Sequence, residues 1–323
     1  MAQDVLLPEG ISQDYIFTKS IAGTPKIILK NGVYHFKKKW TFKEYETQND
    51  SLKLKFNFKS FDNQSFTALN DSLATYLIIS GGGHVFSQTN KGLVKEDSSV
   101  EQKNQFESSV FTHKNQIYMY GGYGFWTFKD YITTFDTSTG QWELVSIKLD
   151  FIPQERWKAI FQVLNDKLYV LGGRNSPKDS EIKDVVLNDY FYFDLLTKTF
   201  VDLGEINPEI PVKYSYESNV NFELKKAYLE KNKIVIFNFK NDTVTSFHKE
   251  NLFEGIDTNR PVIEHLDTLY FIKNKNNKSF LAQFPLNDLK TLEPEFYPIT
   301  LQNENPYKIP IAAILAVLIC FVV

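Results

Sequence analysis

Arginine occurs three times in this 323-residue chain, at Arg156, Arg174 and Arg260, while lysine carries almost all of the remaining positive charge. A guanidinium fork grips a carboxylate or phosphate bidentately, as an ammonium cannot, so each of the three is a candidate anion contact. Arg174 directly follows the pair Gly172-Gly173, Tyr123, Phe125 and Trp126 follow Gly121-Gly122, and His84 follows Gly81-Gly82-Gly83. Guanidinium groups near aromatic platforms suit a carboxylate, an acidic sugar or an acidic loop of a partner protein. Other chemistry finds less support. The histidines (His35, His84, His113, His248, His265) are scattered without metal-ligand spacing. Cys320 is the single cysteine and lies in a terminal apolar run, so the rest of the chain offers no disulfide, thiolate nucleophile or cysteine metal site. No phosphate-binding loop, nucleophile elbow, zinc-protease helix or paired carboxylate dyad is written in the chain. The residue types therefore point to recognition by loops, with no catalytic residue, metal or cofactor. A net charge of −3 with mixed signs gives no nucleic-acid footprint.

These residues must be positioned by a unit written most clearly between Gln116 and Val145. An apolar strand (Ile117 to Tyr120) stops at Gly121-Gly122, an aromatic loop follows, and a second strand runs from Tyr131 to Phe135. The turn Asp136-Thr137-Ser138-Thr139-Gly140 then leads into a strand carrying Trp142. The unit recurs from Asp166: DKLYVLGG, a polar loop, then DYFYFDLLTKTFVDL. Aromatics at 15%, with 28 Phe, favour strands throughout. Strands closed by paired glycines and by D-x-x-T-x-x-aromatic hairpins are a supersecondary unit repeated in tandem.

This unit resembles the kelch repeat, and the resemblance is recognisable as motif from about Leu77 to Leu203. It implies an all-β, kelch-type β-propeller in which Gly81, Gly82, Gly121, Gly122, Trp142, Gly172 and Gly173 are residues of the repeat. Weaker copies of the strand before the glycines start at Gly32, Tyr76, Lys233 and Thr268, in uneven steps of 35 to 66 residues. Lys37-Lys38, Asn238-Phe239 and Lys273-Asn274 replace the glycine pair in three of them, and Phe200 replaces the tryptophan of the fourth unit. The copies predict six blades of four antiparallel strands; a seventh would need the strands around Tyr15-Ile16-Phe17 or Leu52 to Phe58. The last blade, with Phe280 to Phe284 and Glu295 to Thr300, needs an amino-terminal strand to close the ring. Because neighbouring strands alternate in direction, loops after the glycine pairs and loops entering each blade share one rim. Arg174, Trp126, Tyr123, His84, Arg156 and Arg260 are expected there. The resemblance also implies that an arginine before a first strand is often part of the repeat, which makes Arg156 and Arg260 structural and Arg174 the better ligand contact.

The propeller is read over residues 1–303, a linker over 304–308, and an apolar helix over 309–323. The run IPIAAILAVLICFVV is uncharged, yet it falls short of the ~17 residues a membrane span needs at minimum. Two readings stay open: a short tail anchor, or a transmembrane helix cut part-way, with Tyr307 and Lys308 at the interface. Met1 to Asp4 shows no signal-peptide pattern. A tail anchor would leave the propeller in the cytoplasm, whereas a kelch module before a membrane helix resembles an extracytoplasmic (periplasmic or cell-surface) sensor. The expected function is non-enzymatic binding of a protein or glycan on the rim of a membrane-anchored propeller. The alternative is a sialic-acid mutarotase-like propeller enzyme. Galactose-oxidase-like copper chemistry is excluded, because its tyrosine–cysteine crosslink has no suitable cysteine here.

Overall fold

In the computed structural model, residues 4–11, 14–46, 60–99, 103–148, 151–176, 185–210, 219–222 and 225–301 are described. Six antiparallel sheets stand around one axis as blades, each with its innermost strand at the channel. Blade 1 consists, from inside out, of Ile16–Lys19, Pro25–Ile28, Gly32–Phe36 and Trp40–Glu44, and blade 2 of Phe66–Asn70, Thr75–Ile79, Val85–Thr89 and Gly92–Lys95. Blade 3 is Ser109–His113, Gln116–Tyr120, Ile132–Asp136 and Gln141–Leu144; blade 4 is Ile160–Leu164, Lys167–Leu171, Asp189–Asp194 and Thr199–Glu205.

The last two blades are assembled from distant parts of the chain. Blade 5 is Lys225–Glu230, Lys233–Asn238, Thr243–His248 and Pro294–Pro298, with an additional strand, Asn219–Phe222, on its inner edge. Blade 6 is Ile263–His265, Thr268–Lys275 and Lys278–Pro285, closed by Val5–Leu6 at the amino-terminal end. An amino-terminal strand thus completes the ring as expected, and Leu7 N donates to Ser279 O at 3.0 Å to extend it. Two expectations shift. Gly32–Phe36 is the third strand of its blade, because Ile16–Lys19 takes the inner position. Pro294–Pro298 pairs with blade 5 instead of the last blade, reached through the 3-10 turn Leu286–Thr291. Ile16–Lys19 forms no seventh blade, and Leu52 to Phe58 lies outside the described residues. So does the apolar run 309–323; among the described residues no helix is long and apolar enough to cross a membrane.

The apolar runs follow from the packing. Side chains alternate across a strand, and both faces of a blade meet another blade. In Gln116–Tyr120, Ile117 and Met119 join a cluster with Ile78 and Val85 of blade 2. Tyr118 and Tyr120, on the opposite face, join Leu168, Val170 and Phe191 of blade 4. Such a strand reads as continuously apolar, as a doubly covered strand must. Each of the six seams holds one such cluster. Trp142 reaches across its seam, its Nε1 donating to Gly83 O at 2.7 Å.

One seam also contains a buried amine. Lys26 donates from Nζ to Thr75 Oγ1 at 2.6 Å, and burial lowers its pKa from the ordinary 10.5 to about 8. Folded and unfolded chains are both charged below that value, so the full desolvation penalty applies there. It fades as pH rises from about 8 towards 10.5. Lys26→Met is therefore expected to raise unfolding free energy by roughly 1–3 kcal/mol at neutral pH, the gain shrinking in alkaline urea titrations; an equal gain at all pH values would contradict this account. Deleting residues 1–7 should lower the melting temperature by roughly 5 °C, measured by circular dichroism, because the outer edge of blade 6 is then uncovered.

Candidate functional site

The rim that carries the predicted residues is built where the chain enters a blade between the glycine pair of that blade and the glycine pair of the blade before it. At Gly121 (φ +67°) an added Cβ would lie 2.6 Å from Arg156 O, and Gly122 N donates to that same oxygen at 2.7 Å. Only glycine combines this left-handed backbone with so close an approach. The entry segments of blades 3 and 4 are structural equivalents. Gln105 donates from Nε2 to Gly121 O at 2.8 Å, and Arg156 donates from Nη1 to Gly172 O at 2.8 Å, each across 16 residues. The following residues pair likewise: Phe106 exchanges backbone hydrogen bonds with Tyr123, and Trp157 with Arg174. Next come Glu107 (φ 55°) and Lys158 (φ 53°), both left-handed at the channel mouth.

Arg156 and Arg260 sit in this frame with their guanidinium groups buried. Arg156 is 1% exposed, bonds Asp189 through two contacts of 2.7 Å and lies 4.6 Å from the Phe191 ring centroid. Arg260 is similarly enclosed, donating to Tyr15 O and Asn63 Oδ1, with its Cζ 3.7 Å from the Tyr15 ring centroid. Such buried forks tie entry loops to blades and leave little surface for a ligand. His84 is held beside the entry to blade 3: its Nδ1 is 2.8 Å from Asp97 Oδ2, which also accepts from Lys103 Nζ at 3.1 Å. Burial alone would raise the Asp97 pKa, but hydrogen bonds from His84, Ser99 and Lys103 outweigh it and hold the carboxyl far below the usual range.

Tyr123, Trp126 and Arg174 meet the solvent side of the rim. Tyr123–Gly124 and Thr127–Phe128 form a short hairpin whose tip is Phe125-Trp126, 71% and 88% exposed. Both tip residues are left-handed, at φ 50° and 62°. A two-residue turn of this kind prefers Asn-Gly, and bulky side chains there cost about 1 kcal/mol or more each. The hairpin leans on a ring cluster: Tyr123 to Phe128 at 5.1 Å, Phe128 to Trp157 at 5.9 Å, and Phe106 to Trp157 at 6.4 Å. Lys158 Nζ caps it 4.8 Å from the Trp157 centroid. Arg174, half-buried, begins the equivalent hairpin of blade 4, Arg174–Asn175 against Val185–Val186. Residues 177–184 lie outside the described residues. The structure therefore places Arg174 and the Trp126 hairpin on the same rim, joined through Trp157.

Sequence reasoning missed Gln105, Phe106, Phe128, Trp157 and Lys158. Gln105 carried a signal: it stands at the same distance from its glycine pair as Arg156 from its own. Among the described residues no group of three or more His, Cys, Asp or Glu could hold a metal ion.

The fold is similar to that of a solved protein reported as "Structure of YjhT", with a TM-score of 0.52 and 13% identity, covering 86% of this chain and 96% of that one. At that identity the likeness concerns architecture. No family model and no curated protein matches the sequence.

The Arg156 clasp is testable by substitution. Arg156→Ala strands the Gly172 carbonyl and the Asp189 carboxylate and should cost about 3 kcal/mol in urea unfolding. Arg156→Gln, copying blade 3, should cost distinctly less, since Gln105 already makes the carbonyl contact there. Equal losses for the two substitutions would show that the carbonyl contact is unimportant.

Proposed function

We propose that this chain is a kelch-type propeller that binds a glycan or a protein loop, without catalysis, on the rim of blades 3 and 4, and that residues 309–323 hold it at a membrane with the propeller outside. The observation that carries the reading is the Phe125-Trp126 tip. A fold that keeps two bulky aromatics in left-handed backbone and in water accepts strain and exposed apolar area together. Neither helps the propeller fold, and both serve recognition, as strain at functional sites commonly does. The rings behind the tip fix its direction, so little ordering remains to be done on binding. Indole and phenol faces stack on the apolar faces of sugars or on a partner's side chains, while Arg174 and Lys158 favour a ligand carrying carboxylate groups.

Glycan and peptide arrays probed with the purified chain would identify a ligand, and calorimetry would give its affinity. The double variant Trp126→Ala/Arg174→Ala is expected to weaken binding at least tenfold, about 1.4 kcal/mol, with an unchanged melting temperature. An unaltered affinity in the double variant would remove this rim as the binding surface.

A further inference from the structure

Below the rim, the ring axis opens into a cavity of ≈ 680 Å³ with walls supplied by all six blades. Small-molecule sites commonly fall in this range, from ~300 to ~1,000 Å³. The wall is not uniform. At blade 5 the additional strand Asn219–Phe222 occupies the inner edge, and the cavity is lined there by Lys226 and Tyr228 of the neighbouring strand. Tyr228 packs into the seam with blade 4. Lys226, two residues earlier, shares that face, and its Nζ sits 5.0 Å from the Phe161 ring centroid and 6.0 Å from that of Tyr228. All three residues line the cavity.

Lys226 is 3% exposed, and the groups shown beside its amine among the described residues are the Phe161 and Tyr228 rings. Burial pulls its pKa down to about 7. An amine so placed is costly unless a counter-charge arrives. The adjoining wall holds a second unmet demand. Gln162, 5% exposed and also lining the cavity, buries its amide oxygen without a hydrogen-bond partner. Gln162 alternates with Phe161 on Ile160–Leu164 and lies on the face that Ile160 and Leu164 turn towards blade 5. A buried donor in need of an anion and a buried acceptor in need of a donor thus flank one seam of one cavity. The carboxylates lining the cavity lie elsewhere: Glu264 accepts from Asp267 N at its own turn, and Glu107 stands at the mouth.

We propose that the axial cavity is a second binding site, distinct from the rim, which takes a small hydroxycarboxylate whose carboxylate pairs with Lys226 and whose hydroxyl donates to Gln162. Unlike the rim reading, it requires neither Trp126 nor Arg174.

The test uses malate and succinate, which differ by one hydroxyl, with glycerol as an uncharged control, on the full chain. Malate is expected to bind the wild-type protein in calorimetry and to raise its melting temperature, while glycerol does neither. Lys226→Met should weaken both acids at least tenfold. Gln162→Leu should weaken malate severalfold and leave succinate unchanged, and Trp126→Ala should leave both unchanged. Failure of both acids to bind at millimolar concentration, or equal malate binding by wild type and Lys226→Met, would overturn the proposal. Should Lys226→Met not fold, the wild-type protein still decides: malate must protect Lys226 from a small amine-reactive reagent in peptide mass spectrometry, and labelling unaffected by malate would overturn it.

Discussion

The structure depends on one constraint: the strands in the middle of each blade carry apolar residues on both faces, and each face must be covered by a different neighbouring blade. A sheet with both faces apolar cannot stop at an edge in water, since burying a single large apolar side chain is worth about 1.5–3 kcal/mol and each seam holds many. A closed ring gives every blade two partners. It also explains how the last two blades are completed: Val5–Leu6 and Pro294–Pro298 supply outer strands where the consecutive chain provides none. Closure by segments so distant in sequence links the ends of the described chain through the fold and leaves few unpaired edges.

Close seams create the rim. Where entry loops cross the glycine pairs, backbone atoms come within hydrogen-bond range of the neighbouring blade, so the loops are fixed by the same packing that forms the core. Arg156 and Gln105 complete that attachment with different chemistry at equivalent positions, an ion pair in one seam and a neutral amide with Thr133 in the other. The rim is thereby stiff at its base, and only the hairpins beyond it are at liberty to vary, the division between scaffold and loop on which recognition commonly rests.

The polar residues of the seams fall into two kinds. Arg156 and Arg260 are buried with carboxylate or backbone oxygen partners and act as fasteners, while Lys26, buried at a net cost, still meets Thr75 Oγ1. Lys226 and Gln162 are buried where a seam meets the axial cavity, the lysine amine beside aromatic rings and the Gln162 amide oxygen without a hydrogen-bond partner. The contrast lies in what stands beside the side chain. Beside Arg156, Arg260 and Lys26 an acceptor is supplied by the same or a neighbouring blade; at the channel wall, the described residues leave a cavity beside the side chain.

The amino-acid sequence by itself determined the strands, their hairpins and the glycine pairs, and through them the all-β blade; its copies predicted six blades and left a seventh open. These are local properties: alternation, turn chemistry and the absence of a side chain at Gly121 or Gly172 are legible in a few residues. It also placed Arg174, Tyr123 and Trp126 on one rim, because strand direction alone sets which loops share an end. Tertiary structure alone decided that Gly32–Phe36 is a third strand, that Pro294–Pro298 joins blade 5, and which groups enclose Arg156 and Arg260. Strands covered on both faces look alike in sequence whatever their place in a blade. Whether a charged side chain faces solvent, a partner or a cavity depends on residues brought beside it from elsewhere in the chain, as Phe161 is brought to Lys226.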